Sequence, residues 1–258
     1  MSIRLSTGLR NFMTQHGSFK TAMQGGKVEF RTGSQPATPE TAVSGTLICT
    51  FTAASGARTN EVVASGTVTL TGGASGSVDT VTVNSVNLIP AGAVPYNASL
   101  NQTAADLATA INLGQSSPEY RAEASGAVVT IYAMLGAGAA PNGFVVTATL
   151  TTITASYANM ASGVTSINGL SWGNAASGLI DRLSTQTWSG VNADTGTVGW
   201  FRAYGAVTDA GSTDSAGTTI RMDGSLGISG ADLNGNTSFT ASATSTLTSL
   251  GVTLPASE

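Results

Sequence analysis

Between Val62 and Gly163 the chain alternates apolar and polar residues in short runs, and one stretch breaks that rhythm. Ala104, Leu107, Ala108 and Ile111 fall at i, i+3, i+4 and i+7, which places them on one face of a helix over Asn101 to Asn112. Gly114 stands where such a helix stops. Before it, Val68-Thr69-Leu70, Val78 to Val83 and Val86-Asn87-Leu88-Ile89 alternate as strands, with turns at Gly72-Gly73 and Asn84-Ser85. After it, beyond Ser117-Pro118, Tyr120 to Ala124, Val128 to Ala133 and Phe144 to Ile153 do the same. A β-β-β-α-β-β-β pattern of about 100 residues can close a core of its own. Residues 62–163 therefore read as a domain inserted into another.

The flanks share a second texture. Lys27 to Arg31 alternates as a strand, Thr32-Gly33-Ser34-Gln35-Pro36 makes a turn, and Leu47, Cys49 and Phe51 share one strand face. Past Gly163, a strand ends near Trp188, a turn runs from Gly190 to Gly199, and a strand starts at Trp200. Ile228 and Leu233 lie near another turn, and Phe239 to Leu254 alternates as a closing strand. Residues 1–61 and 164–258 thus form one discontinuous domain, since insertions are tolerated where the chain ends lie close. At its start, Leu5, Leu9, Phe12 and Met13 recur at helical spacing, with Ser6 and Thr7 both placed to cap; Phe19, Ala22 and Met23 add a short second turn. The expected fold is mainly β: a β-sandwich-like outer domain with an amino-terminal helical segment, interrupted by a small β-rich domain carrying one helix. The 32 glycines and an aromatic content of 6% agree with short strands and tight turns.

Little in the chain suggests chemistry. Acid–base, nucleophilic and metal catalysis draw on His, Cys and clustered carboxylates, and here there is one His (His16) and one Cys (Cys49). His16 sits at an expected helix end, and Cys49 reads as a buried small hydrophobe. Asp232-Leu233-Asn234-Gly235-Asn236 is spaced like the first half of a calcium loop, but no carboxylate follows at the twelfth position, so it reads as a polar turn. Asp79, Asp181 and Asp223 have no acid–base partner in sequence, and Gly136-Ala137-Gly138 lacks the Lys-Ser/Thr of a phosphate loop. The expectation is a noncatalytic protein with no metal and no cofactor.

Charged residues make up 9% of the chain, against roughly 25% in an average soluble domain. A surface of hydroxyls and amides suits permanent assembly better than free monomeric life. The net charge of −4 argues against nucleic acid as a partner. Arg4, Arg10, Lys20, Lys27 and Arg31 make the amino end basic; Asp181, Asp194, Asp209, Asp214, Asp223, Asp232 and Glu258 make the last third acidic. These ends either carry solvated surface charge or pair head to tail between subunits. Residues 1–25 lack the apolar run of a secretory signal, and no stretch approaches the roughly 20 apolar residues of a membrane span. The chain is expected to be made in the host cytoplasm without membrane insertion.

Two features bear on partners. The amphipathic amino-terminal segment either covers its own domain or docks on a neighbour. Trp172, Trp188, Trp200, Phe201 and Tyr204 concentrate in one third of the chain, either as core or as a contact surface, with Trp200 and Phe201 on opposite sheet faces. Arg4, Leu5, Leu9, Arg10, Phe12, Met13, Trp188 and Trp200 are the interface candidates.

Ile3 to Asn11, Val28 to Pro36, Thr187 to Gly190, Gly199 to Arg202 and Arg221 to Ser225 together resemble a family of small proteins encoded in tailed-bacteriophage structural gene clusters, whose members resemble 1–61 joined directly to 164–258. The middle, through Ser77 to Asn84, Ala108 to Asn112, Ser117 to Tyr120 and Ala140 to Phe144, resembles a β-rich module found inserted in phage virion proteins. The resemblance implies a structural component of a virion, at the neck or tail or on the capsid surface, with copies of itself and other virion proteins as partners. The alternative is an adhesin whose inserted domain binds host-surface glycan, with Tyr96, Tyr120, Tyr132, Phe144 and Tyr157 as its aromatic supply.

Overall fold

The computed structural model describes residues 3–114 and 119–253; Ser117-Pro118, Leu254 and Glu258 lie outside the described residues. It is mainly β, with three helices among the described residues. The chain divides into two units, 1–61 with 166–258, and 62–165.

In the inserted unit, helix Leu100–Leu113 is capped by Ser99, whose hydroxyl accepts from the Gln102 N–H, and ends at Gly114. Its far end is tied down by Asn112, which donates to the Ala122 carbonyl at 2.9 Å and accepts from the Ala122 N–H at 2.8 Å. Two four-stranded sheets accompany it. One runs Val146–Thr151, Ser77–Val83, Val86–Asn87, with Val94–Pro95 also on the Ser77–Val83 strand; the other runs Thr154–Ala161, Ser65–Gly72, Val128–Tyr132, Arg121–Ser125. Val68, Leu70, Val78, Val81, Val83, Val129, Ile131 and Val146 join Ala104, Leu107, Ala108 and Ile111 in one buried cluster. The predicted helical face is thus the one that enters the core. The Asn84-Ser85 turn has both residues at positive φ, as a two-residue hairpin requires. The unit closes where it begins: Val62 and Val164 exchange backbone hydrogen bonds of 3.0 and 2.9 Å.

The outer unit is built on a nine-stranded sheet whose path is Arg4–Leu5, Arg221–Gly227, Gly196–Tyr204, Lys27–Thr32, Leu47–Ala53, Trp188–Val191, Thr244–Leu247. Register partners across an antiparallel sheet share a face. One row reads Leu5, Met222, Ala203, Val28, Phe51; the next reads Gly224, Phe201, Phe30, Cys49. Helices Thr7–Gln15 and Phe19–Met23 belong to the same unit and bury Leu9, Phe12, Phe19, Ala22 and Met23. Ser6, not Thr7, is the cap of the first helix, accepting from the Leu9 N–H. Gly224 lies under the Phe201 ring, in the space a β-carbon would need. Gly190 likewise lets its strand approach the Thr50 carbonyl.

Several elements differ from the sequence reading. The strand expected to end near Trp188 begins there and runs Trp188–Val191, and the one expected to start at Trp200 starts at Gly196. Thr154–Ala161 is a strand that the alternation does not announce, because its side chains are mostly exposed Ser, Ala, Asn and Thr. Val86–Asn87 stops short of Leu88-Ile89, which turn into the core. The expected closing strand is broken into Ser238–Phe239, Thr244–Leu247 and Val252–Thr253. The breaks fall at Ser242, which has positive φ, and at Leu250, whose N–H is held by the Asp181 carboxylate at 2.9 Å.

Candidate functional site

The opposite face of the outer sheet is ionic. Arg4, Asp223, Arg202 and Glu29 form one cross-strand row, and Arg221, Tyr204 and Lys27 form the next. Arg202 grips Asp223 through two 2.7 Å bonds, Nε to Oδ1 and Nη2 to Oδ2, with both side chains at 0% exposure. Arg221 holds Asp209 the same way, again at 2.7 Å twice. Glu29 is shared by Lys27 at 2.5 Å and Arg31 at 2.8 Å, and accepts from the Tyr204 hydroxyl at 3.2 Å. Lys27 Nζ also lies 4.7 Å from the Tyr204 ring centre, and the Arg202 guanidinium 5.5 Å from that of Trp200.

The remaining guanidinium donors hold the covering loops. Arg4 donates to the carbonyls of Pro36 and Ala37, Arg202 to Thr41, and Arg221 to Pro39 and Ser212. Segments 36–41 and 209–212 are thereby strapped over the sheet, and every residue from Trp200 to Tyr204 is buried. Strands covered on both faces lose the alternation of a half-exposed sheet.

Titration follows from this packing. Burial works against the Glu29 carboxylate, yet Lys27 and then Arg31 hold it below its usual range. Burial pushes the Asp223 carboxyl up, with Arg202 pulling the other way. Burial, with Glu29 beside it, raises the Tyr204 phenol.

Where the straps end, the same face opens into a groove of about 450 Å³ lined by Lys27, Thr50, Thr52, Arg58, Asn60 and Val191, among others. Its polar groups are largely committed inward. Lys27 pairs with Glu29; Arg58 donates to the Gly25, Gly205 and Ala206 carbonyls; Thr52 donates to the Gly56 carbonyl; Asn60 donates to Thr208. The groove presents hydroxyls and aliphatic surface beside these committed groups.

The interface candidates separate into two groups. Leu9, Phe12, Trp188 and Trp200 are buried within the outer unit, which corrects their reading as contact residues. Phe19, Trp172 and Trp188 meet edge to face at 5.0 and 5.1 Å between ring centres, and Phe30 meets Phe51 at 4.6 Å and Phe239 at 5.8 Å. Trp200 donates its indole N–H to the Thr32 carbonyl at 3.2 Å. The indole N–H of Trp188 is buried without a hydrogen-bond partner, so that ring is placed by packing alone. Arg10 is exposed, while Arg4, Leu5 and Met13 are half-buried. The apolar side of the amino-terminal helices therefore covers its own unit.

Part of the charge at both ends is paired within the unit. Lys27 and Arg31 pair with Glu29, and Asp209 and Asp223 pair with arginines of their own third of the chain. Asp232 accepts from the Ser225 N–H and hydroxyl, which makes the calcium-like stretch a turn braced to a strand. Among the described residues no three His, Cys, Asp or Glu gather as a metal site. No helix among them is long and apolar enough to cross a membrane.

The sequence reading missed Glu29, Arg202, Arg221 and Asp209 as one network. The signal was present as period-two charge: Lys27-Glu29-Arg31, Arg202-Tyr204 and Arg221-Asp223 alternate with Val28, Phe30, Ala203 and Met222. Comparison with protein-family models, curated proteins and solved structures found no match.

Proposed function

We propose that this chain is a noncatalytic structural component of a tailed-bacteriophage virion, held by contacts with copies of itself and with other virion proteins. The observation that carries the reading is the inward commitment of charge: the outer unit uses its arginines and carboxylates to strap loops onto its sheet. What it turns outward is short of charge, a surface suited to permanent burial against neighbours. The stretches that resemble phage structural proteins coincide with the strands of this network, including Val28 to Arg31, Gly199 to Arg202 and Arg221 to Ser225.

Mass spectrometry and cryo-EM of purified particles test the proposal. The chain is expected at a fixed copy number, in hundreds for a capsid position or in a ring of low symmetry for a neck or tail position. Its absence from intact particles overturns the reading.

A second reading, glycan binding by the inserted unit, is favoured by one face of that unit. There Ser65, Thr67, Thr69 and Thr130 share a sheet face with Tyr132, whose ring carries the Arg121 guanidinium at 4.2 Å. A glycan array with the full chain tests it, and a blank array removes it.

A further inference from the structure

Exposed strand edges offer unpaired N–H and C=O groups to any passing strand, and proteins blunt them with charge, proline, bulges or brevity. Among the described residues, the edges of the nine-stranded sheet and of the two four-stranded sheets follow that rule with one exception. Arg121–Ser125 carries Arg121 and Glu123. Val146–Thr151 and Thr154–Ala161 are both bulged, and Met160 of the second exchanges hydrogen bonds with Gly143 and Phe144, just ahead of the first. Arg4–Leu5, Val86–Asn87, Val94–Pro95, Leu233–Asn234 and Ser238–Phe239 are two residues long.

The exception is Thr244–Leu247, which ends the nine-stranded sheet. It pairs with Trp188–Val191 over four residues in unbroken register and has no further strand beyond it among the described residues. Its sequence, Thr-Ser-Thr-Leu, contains neither charge nor proline. Thr244 and Thr246 are exposed, and Val191, the register partner of Thr244, is 55% exposed beside them.

We infer that this edge receives the same edge of a second copy, two Thr244–Leu247 strands pairing antiparallel about a two-fold axis so that the sheets of two outer units become continuous. A two-fold contact must be self-complementary. This strand meets that demand, because a Thr and Ser strand opposed to itself sets no like charges against each other and gains hydroxyl and β-branched cross-strand contacts. Four residues bury less than the roughly 1,000 Å² of a stable interface. The free chain should therefore dimerise weakly, with a dissociation constant between about 1 µM and 1 mM, and the contact would become permanent only at the local concentration of an assembly. The inference deepens the assembly reading and rests on it for its biological meaning, but it is tested on the free chain.

Sedimentation velocity of the full chain across that concentration range should show a monomer–dimer equilibrium. Thr246→Lys should weaken it by at least about tenfold, because it restores the missing edge charge. Glu123→Lys, on another edge, should leave it unchanged. Hydrogen exchange on the unaltered chain gives an independent readout that does not depend on the variant folding: the amides of 244–247 should slow as concentration rises. A monomer at every concentration with unchanged exchange there overturns the inference, as does a Thr246→Lys chain that is folded and dimerises like the original. A virion lacking this chain would sink the virion proposal and leave these measurements standing.

Discussion

Arg202 and Asp223 face each other across neighbouring strands and share two 2.7 Å hydrogen bonds where neither side chain reaches solvent. Removing one member of such a pair leaves an uncompensated buried charge, which costs about 3–5 kcal/mol, whereas replacing both with apolar side chains costs much less. Arg202→Met alone should lower the stability of the outer unit by that amount, and Arg202→Met with Asp223→Leu should recover most of it. All three tryptophans belong to the outer unit, so tryptophan emission during urea unfolding reads this unit selectively. Equal losses for the single and double variants would mean that the cost does not come from a stranded buried charge.

Acid should loosen the same face. The Glu29 carboxyl is held below its ordinary value of 4.5 by Lys27 and Arg31, against the effect of burial. A depressed carboxyl contributes stability that is present above its unfolded value and lost as pH falls through the folded one. Glu40 and Asp214, whose carboxylates accept backbone N–H bonds from Thr7 and Thr219, are depressed as well and act in the same direction. Asp223 is raised and acts oppositely, its contribution fading as pH climbs above 3.8. The urea midpoint followed by tryptophan emission should therefore fall on acidification below pH 4.5, and Glu29→Gln should flatten that dependence. An unchanged slope in the variant would count against the assignment.

Cys49 should be silent in the native protein. It is wholly buried between Phe30 and the glycine-lined approach of Gly190, and burial pushes its thiol up to about 12. A thiol-reactive chromophore at pH 8 is expected to label nothing under native conditions and one site per chain in urea, since the thiolate is the reactive species. Rapid native labelling would mean that the Leu47–Ala53 strand opens readily.

The two cores should fail separately. Leu107→Ala removes a fully buried side chain from the helix of the inserted unit and should cost about 2–5 kcal/mol there. Hydrogen exchange of residues 62–165 should report that loss, while the tryptophan transition of the outer unit stays where it was. A matching shift in tryptophan emission would show that the units unfold as one.

The inserted unit was largely legible because its strands are buried on one side and its helix has a single apolar face. Leu107 and Ile111 announce themselves by spacing. The outer unit was harder. Where Trp200 to Tyr204 is buried on both faces, polar and apolar residues alike are inside, and a single sequence offers no sign that Arg202 or Trp200 is enclosed and not displayed. For that reason the sequence leaves Trp188 and Trp200 open as core or as contact residues. The partners that enclose them, Asp223 for Arg202 and the Thr32 carbonyl for Trp200, lie 21 and 168 residues away. Thr154–Ala161 escaped notice for the opposite reason: most of its side chains are exposed, and it leaves almost no apolar trace.

The hydrogen-bonded pairs Val62 with Val164 and, one step outward, Thr59 with Ile167 also have a mechanical meaning. Tension carried along the backbone of the outer unit can pass from one side of the insertion to the other through the amides of Thr59 and Ile167, without travelling through the intervening hundred or so residues. The inserted unit is wired in parallel with the load and not in series with it. Lengthening or exchange of the inserted unit is the kind of change such a closed-off junction tolerates.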